Sequence, residues 1–348
     1  MTRLYFAIPG DIQTLTGGYV YDKRVMALLP DFGVEVVHLA LPGGFPFPSE
    51  AELDATSRLL AEIPGDAAIL IDGLAFGALP ERCLTGISVP IIVLLHHPLG
   101  LETGLDEQES RRLLTSEQAA LSFARHIVVT SPATAATLVE LAFAELPRIT
   151  VAEPGTERAS RARGGGAVRE ILSVGTVIPR KGHDLLVSAL ARLPHRGWRC
   201  SIVGSLDRDA DFAARLKRQI AQEGLQDHID LVGALESEAL ARHFDRADIF
   251  ALPSRYEGYG MAFAAALARG LPVVAARAGA VPGTVPAEAS LMVPPEDAQA
   301  LSEALHALIG DPALRRRLSD AAWAHAQSLP RWEDTARIIA GAIRKIGL

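Results

Sequence analysis

Two adjacent cations, Arg180-Lys181, sit before Gly182 on a loop between the apolar run Ile171–Val174 and a helix-like stretch opening near His183-Asp184. Two cations on a strand-to-helix loop can clamp a diphosphate, because each gives charge-assisted donors to phosphoryl oxygens; a solvated basic turn is the plain alternative. A second segment, Leu252–Pro282, reads LPSRYEGYGMAFAAALARGLPVVAARAGAVP. It sets Glu257 on a loop flanked by Gly258 and Gly260, then a small-residue helix over Met261–Arg269 with Gly270 as its cap. A carboxylate there can accept hydrogen bonds from sugar hydroxyls, and the first helical amides can hold phosphate. The alanine run also suits close helix–sheet packing. His96-His97-Pro98 closes the run Ile91–Leu95. At the carboxyl end of a strand a histidine can donate to a hydroxyl or shuttle a proton, or it is an inert turn residue. Gly17-Gly18, ahead of a helix expected over Tyr19–Pro30, either admit a ligand to the backbone or make an ordinary tight connection. No metal-ligand spacing accompanies the two histidines, so no metal is expected.

The elements that must carry these residues are legible as short apolar runs separated by helix-length amphipathic stretches. Strands are expected near Leu4–Ile8, Glu35–Leu41, Ala67–Ile71, Ile91–Leu95, His126–Thr130 and Ile149–Val151, and again near Ile171–Val174, Arg199–Val203, Ile229–Val232, Ile249–Ala251, Val273–Ala276 and Leu291–Val293. Continuous apolar runs mean that both sheet faces are covered, which predicts an α/β chain of two doubly wound, Rossmann-like parallel sheets. Between them, Pro154–Ala167 (PGTERASRARGGGA) has no apolar periodicity and reads as a flexible linker. Its Gly164–Gly166 lacks the preceding strand and following Lys-Ser/Thr of a phosphate loop. The 348 residues, 49% apolar and 22% charged, exclude a disordered or fibrous chain. Net charge is −7, divided as −11 over residues 1–157 and +4 over 158–348. This argues against a nucleic-acid partner and against anchoring of the first half to an anionic membrane, while the second half suits an anionic ligand. No run spans a bilayer and no signal segment opens the chain, so a cytoplasmic protein is expected, with peripheral membrane contact left open. Cys83 and Cys200 are expected to be small buried thiols. The loop Gly43–Ser49 (GGFPFPS) is read either as presenting two phenylalanines to an apolar acceptor or as self-packed.

Taken in order, Gly17-Gly18, His96-His97, Ser131 of VVTSPAT, VGTVIPRKGHD, PSRYEGYG, ARGLPVVAARAG and Trp332 of PRWEDTARIIAGAI resemble the retaining glycosyltransferases of family 4, across essentially the whole chain. The resemblance implies the GT-B fold, with two Rossmann-like domains facing across a cleft. It assigns residues 1–153 to the acceptor side, with the helix 331–348 packing back on it, 154–167 to a linker, and 168–330 to nucleotide-sugar binding. It makes Lys181 the lysine that neutralises the donor diphosphate. Glu257 becomes the first glutamate of an E-x7-E motif, touching the donor sugar. Gly258, Tyr259, Gly260 and Met261 become the loop around the phosphates, and Gly17-Gly18 the loop facing those phosphates. His96, or else His97, is placed near the transferred sugar, with strand length favouring the first. Val232-Gly233 is placed near the nucleobase. The implied co-substrate is a nucleotide sugar, UDP- or GDP-linked, the acceptor a glycan, lipid or small molecule, and no metal or other cofactor is needed.

Three positions depart from that pattern. The second glutamate of E-x7-E is Ala265, the family arginine after the strand-end glycine is Thr176, which leaves Arg180 to assist Lys181, and a frequent later glutamate is Gly283. Losing one charged hydrogen bond costs about 1.5–3 kcal/mol, or roughly tenfold to a hundredfold in affinity. The expectation is therefore a retaining, metal-independent glycosyltransferase. A nucleotide-sugar-binding protein without catalysis, a nucleotide-sugar epimerase and, weakest, an NAD-dependent oxidoreductase remain as rivals; no G-x-G-x-x-G follows either first strand.

Overall fold

The computed structural model describes residues 2–163, 170–194 and 197–346, and the chain divides into two compact units. Unit 1 is Met1–Gly155 with Pro330–Leu348; unit 2 is Thr156–Leu329.

Unit 1 holds a sheet of β1 (Thr2–Pro9), β2 (Val34–Leu41), β3 (Ala68–Asp72), β4 (Ile91–Leu95), β5 (His126–Val129) and β6 (Ile149–Val151), in the order β2-β1-β3-β4-β5-β6. Every ladder is parallel. The chain leaves β1 toward β2 and returns on the other side to β3, so the order reverses between β1 and β3. Unit 2 holds β7 (Glu170–Val174), β8 (Arg199–Val203), β9 (Ile229–Gly233), β10 (Ile249–Leu252), β11 (Val273–Ala276) and β12 (Ser290–Val293), in the order β12-β11-β10-β7-β8-β9, again all parallel. Here the reversal falls between β7 and β10. In open parallel sheets the crevice beyond the strand ends at such a reversal is where ligands bind.

β3, β4 and β5 are buried at every position, as both-faces-covered strands must be. The final helix, Trp332–Lys345, packs on the helix Gly17–Leu28 and on β6 within unit 1. Its opening is tight: a Cβ on Gly155 would lie 2.1 Å from the Trp332 nitrogen. Among the described residues no helix is long and apolar enough to cross a membrane, and Cys83 and Cys200 are buried free thiols.

Four expectations need correction. The helix after Gly17-Gly18 starts earlier and stops earlier, at Gly17–Leu28, because Thr16 caps it and Pro30 has no N–H to continue it; a 3-10 turn, Leu29–Phe32, follows. The helix Met261–Leu267 ends at an Ala268 cap, and Gly270, at φ +66°, closes the turn two residues on. The linker is not free over its described part: Ala162 N–H donates to Arg269 C=O (2.9 Å), Arg163 N–H to Asp245 C=O, and Arg161 pairs with Asp320, all in unit 2. Gly164–Gly166 lies outside the described residues. Of the two phenylalanines in the Gly43–Ser49 loop only Phe47 is exposed, beneath the Arg112 guanidinium; Phe45 is a core residue.

Candidate functional site

The unit 2 candidate is assembled at the β7/β10 reversal. β7 ends at Val174, and the chain passes Gly175 and Thr176 into a 3-10 turn, Pro179–Lys181, before the helix His183–Ala191. β10 ends at Leu252, and Pro253–Gly260 leads to the helix Met261–Leu267. Two glycines let these loops approach. A Cβ on Gly182, at φ +68°, would sit 2.1 Å from the Pro253 carbonyl oxygen, and one on Gly204 would sit 1.9 Å from that of Gly175. Gly182→Ala should therefore lower unfolding free energy by more than the ~1–2 kcal/mol that the left-handed backbone alone costs an L-residue. Equal denaturation midpoints for Gly182→Ala and the parent would contradict the close approach.

These loops bring the two sequence-derived charges together. Lys181 Nζ donates to Glu257 Oε1 at 2.7 Å, Ser254 Oγ donates to the same oxygen at 2.7 Å, and Arg180 Nη1 lies 3.7 Å from Oε2. The Lys181 stem lies along Gly175, with side-chain carbons 3.1–3.3 Å from where a Cβ would be. Glu257 is buried, which alone would raise its carboxyl; the charges of Lys181 and Arg180 and the hydrogen bonds outweigh this and hold it below the ordinary value. The result is a buried carboxylate with two cations at the mouth of a parallel sheet. That set carries a net positive charge, suited to an anion.

The neighbours are mostly backbone. Gly279 packs on the Glu257 backbone, its notional Cβ 2.4 Å from the Glu257 carbonyl oxygen, and Ala280 N–H donates to that oxygen at 2.9 Å. Gly258 flanks Glu257, Tyr259 is buried with its carbonyl accepting from Thr284 Oγ1 at 2.6 Å, Gly260 has φ +96°, and Met261 opens the helix. Ala265 is half-buried against the apolar cluster around Phe244 and Phe263. A Cβ on Gly283 would meet nothing within 4 Å. Thr176 sits on the Gly175 loop, its carbonyl accepting from Ile178 N–H. Val232-Gly233 ends β9, and Gly233 C=O accepts from Gly204 N–H at 3.0 Å.

The unit 1 candidate lies at the other reversal. Thr16 caps the helix carrying Gly17-Gly18, and a Cβ on Gly18 would lie 3.5 Å from His96 Nε2. His96 Nε2 is 3.4 Å from Asp22 Oδ1 and 3.6 Å from Asp72 Oδ2, and both carboxylates are buried. Neither contact has hydrogen-bond geometry, so the attraction is ionic. Burial alone would lower the imidazole; the two carboxylates outweigh it and push His96 up to about 10. Burial pushes Asp22 up to about 7, against the pull of His96. The three offer ligand atoms within 4.8 Å of one another, a grouping absent from the sequence expectation. With Nε2 protonated the three form an ion triad; with it deprotonated the same three atoms are placed as a ligand set. His97 instead pairs with Glu102 at 3.3 Å. Ser131 caps the helix Pro132–Glu140 by accepting from Thr134 N–H, a structural role.

Sequence reasoning missed Asp22, Asp72 and Glu117. Asp72 ends β3 just as His96 follows β4, so the strand-end rule that singles out His96 applies to it equally. Glu117 accepts from Leu99 N–H at 3.1 Å, just past Pro98, and burial pushes its carboxyl up to about 8. Its signal in the sequence is one of several glutamates on an amphipathic helix, which does not distinguish it.

Residues 138–325 match the family model described as glycosyl transferases group 1. The MMP alpha-(1->4)-mannosyltransferase of Mycolicibacterium hassiacum is 27% identical over 309 residues, covering 84% of this chain and 74% of that protein. The sucrose-phosphate synthase of Thermosynechococcus elongatus superposes with a TM-score of 0.83 at 23% identity, over 99% of each chain. HepE from Anabaena, solved with UDP and glucose, superposes with a TM-score of 0.77 at 17% identity, over 99% of this chain and 100% of its own. The fold class is thus GT-B.

Proposed function

The chain belongs to the group 1 glycosyl transferases, and on that premise we propose that it moves a sugar from a nucleoside-diphosphate sugar to a hydroxyl of a glycan, lipid or small-molecule acceptor. Unit 2 holds the donor and unit 1 contributes to acceptor recognition, in a cytoplasmic enzyme of the family 4 type. The carrying observation is the convergence of Arg180 and Lys181 on buried Glu257 at the β7/β10 reversal. As the anomeric bond to the diphosphate breaks, the departing oxygen gains charge, and Lys181 is the group that stabilises it. The acceptor hydroxyl forms the new bond on the same face, its proton passes to the leaving diphosphate oxygen, and anomeric configuration is retained. Glu257 then orients the sugar hydroxyls, and the His96 imidazolium donates to a hydroxyl. UDP or GDP is the proposed nucleotide; the UDP in HepE supports the first.

No metal enters this scheme, since side-chain cations carry the diphosphate charge. Turnover in excess EDTA is expected within about twofold of turnover with magnesium, as for an anion site built of protein donors. Complete loss restored by magnesium would overturn the metal-free step. The proposal as a whole is tested by incubating the protein with UDP- and GDP-sugars and an acceptor panel, following nucleoside diphosphate release together with glycoside formation. Ala265, in place of a second carboxylate, favours one rival, a nucleotide-sugar-binding protein without catalysis; binding of a nucleotide sugar with no product from any acceptor would select it.

A further inference from the structure

The Lys181–Glu257 pair cannot by itself hold the cation loop during donor binding, because an incoming diphosphate competes with Glu257 for Lys181. Another fastener is present that uses neither group. Arg255, on the same loop as Glu257, spends all five of its guanidinium N–H donors. Nε donates to Glu296 Oε1 (2.6 Å) and Nη2 to Glu296 Oε2 (3.1 Å). Nη1 and Nη2 fork onto Asp184 Oδ1 (2.9 Å) and Oδ2 (2.8 Å), and Nη1 also donates to the Pro179 carbonyl. Its backbone N–H donates to the Arg180 carbonyl at 2.7 Å. Arg255 therefore grips the turn before Arg180, at Arg180, and just after Gly182, and ties it to the loop beyond β12.

We infer that Arg255 is a positioning residue that pre-forms the Pro179–Lys181 turn as a seat for the diphosphate of the donor. The inference rests on reading that turn as the diphosphate site. A planar fork fits this task and an ammonium does not: lysine has three donors on a point charge and cannot serve two carboxylates and a carbonyl in one plane. Holding the seat ready lets binding proceed without ordering the loop, so its loss should appear in diphosphate affinity and leave nucleoside affinity alone.

The test compares the parent with Arg255→Met, Arg255→Lys and the milder Glu296→Gln, which removes the charge and one of the two acceptor oxygens on the Glu296 side. Amide hydrogen exchange of the ligand-free proteins reads the turn directly. Calorimetry with UDP against uridine, and GDP against guanosine, reads the seat. Arg255→Met should speed exchange in segment 178–184 about tenfold or more, with no change in unit 1 peptides. It should weaken the better-bound diphosphate about tenfold while its nucleoside stays within about twofold. Arg255→Lys should recover only part, and Glu296→Gln should shift both readouts in the same direction by less, which keeps the test alive if Arg255→Met does not fold. If the parent binds neither diphosphate more tightly than its nucleoside, the donor-site reading falls and this inference with it. If the parent discriminates but the variants keep either parental exchange or parental discrimination, the inference alone falls.

Discussion

Lys181→Ala should weaken UDP or GDP binding by roughly tenfold to a hundredfold, while affinity for the matching nucleoside stays within about twofold. The ammonium lies at the strand-end reversal of unit 2, where the diphosphate is proposed to sit, and a charge-assisted phosphate contact contributes about 1.5–3 kcal/mol. A second effect accompanies the first. Glu257 is buried and loses its 2.7 Å cation, keeping Ser254 at 2.7 Å and Arg180 at 3.7 Å. Its lowered carboxyl pKa in the parent marks stability that is present above the ordinary carboxylate range and lost as pH falls. The variant should lack that stability and melt lower at neutral pH. Lys181→Ala/Glu257→Gln separates the two effects: removing the stranded charge should recover the melting temperature but not the diphosphate affinity. Equal losses of diphosphate and nucleoside affinity in Lys181→Ala would show that Lys181 is not the clamp.

What the sequence discloses about this molecule follows from how locally each feature is encoded. Central strands among the described residues, such as Ile91–Leu95, are marked because a parallel sheet covered on both faces demands uninterrupted apolar residues, whereas edge strands such as Val34–Leu41 keep exposed positions and are marked by shorter apolar clusters. Lys181 and Glu257 stand out because both follow strand ends on glycine-bearing loops. Their mutual pairing does not, since it depends on β7 and β10 being neighbours, which only the crossover order determines. Asp22 is more hidden still. It lies on a helix whose buried residues also include Tyr21 and Val25, and nothing local separates a buried aspartate from a solvated one. Its burial comes from β3 and β4 delivering Asp72 and His96 to the same spot. Gly204 shows the same limit: one glycine after a strand is ordinary, and only the adjacent β7 turn, whose carbonyl would be 1.9 Å from a Cβ, makes it obligatory.

The ion triad of unit 1 makes the largest pH-dependent forecast: Asp22→Asn should flatten the fall of stability with rising pH. In the folded protein Asp22 is raised from 3.8 to about 7, so between those values the native state keeps a proton that the unfolded chain has released. Stability therefore declines across that window as pH rises. His96 is raised from 6.5 to about 10; its contribution is full below 6.5 and is lost as pH climbs through 10. Both groups push the same way, from about pH 4 to pH 10. Removing the Asp22 carboxyl cancels the lower limb, worth up to ~1.4 kcal/mol for each pH unit it spans. From pH 5 to pH 7 the parent should thus lose more stability than Asp22→Asn, seen as a larger fall in melting temperature. The upper limb persists in that variant but ends at lower pH, because only Asp72 remains to hold the imidazolium. Asp22→Asn/His96→Gln should remove both limbs. Denaturation curves at pH 5, 7 and 9 decide the matter, with the His96 ring-nitrogen shifts at pH 8 reporting its proton directly. Parallel profiles for the parent and Asp22→Asn would mean that burial does not raise the Asp22 carboxyl, and a neutral His96 ring at pH 8 would mean that the carboxylates do not hold the histidine charged. Its proposed role as a hydroxyl donor would then have to pass to the neutral tautomer.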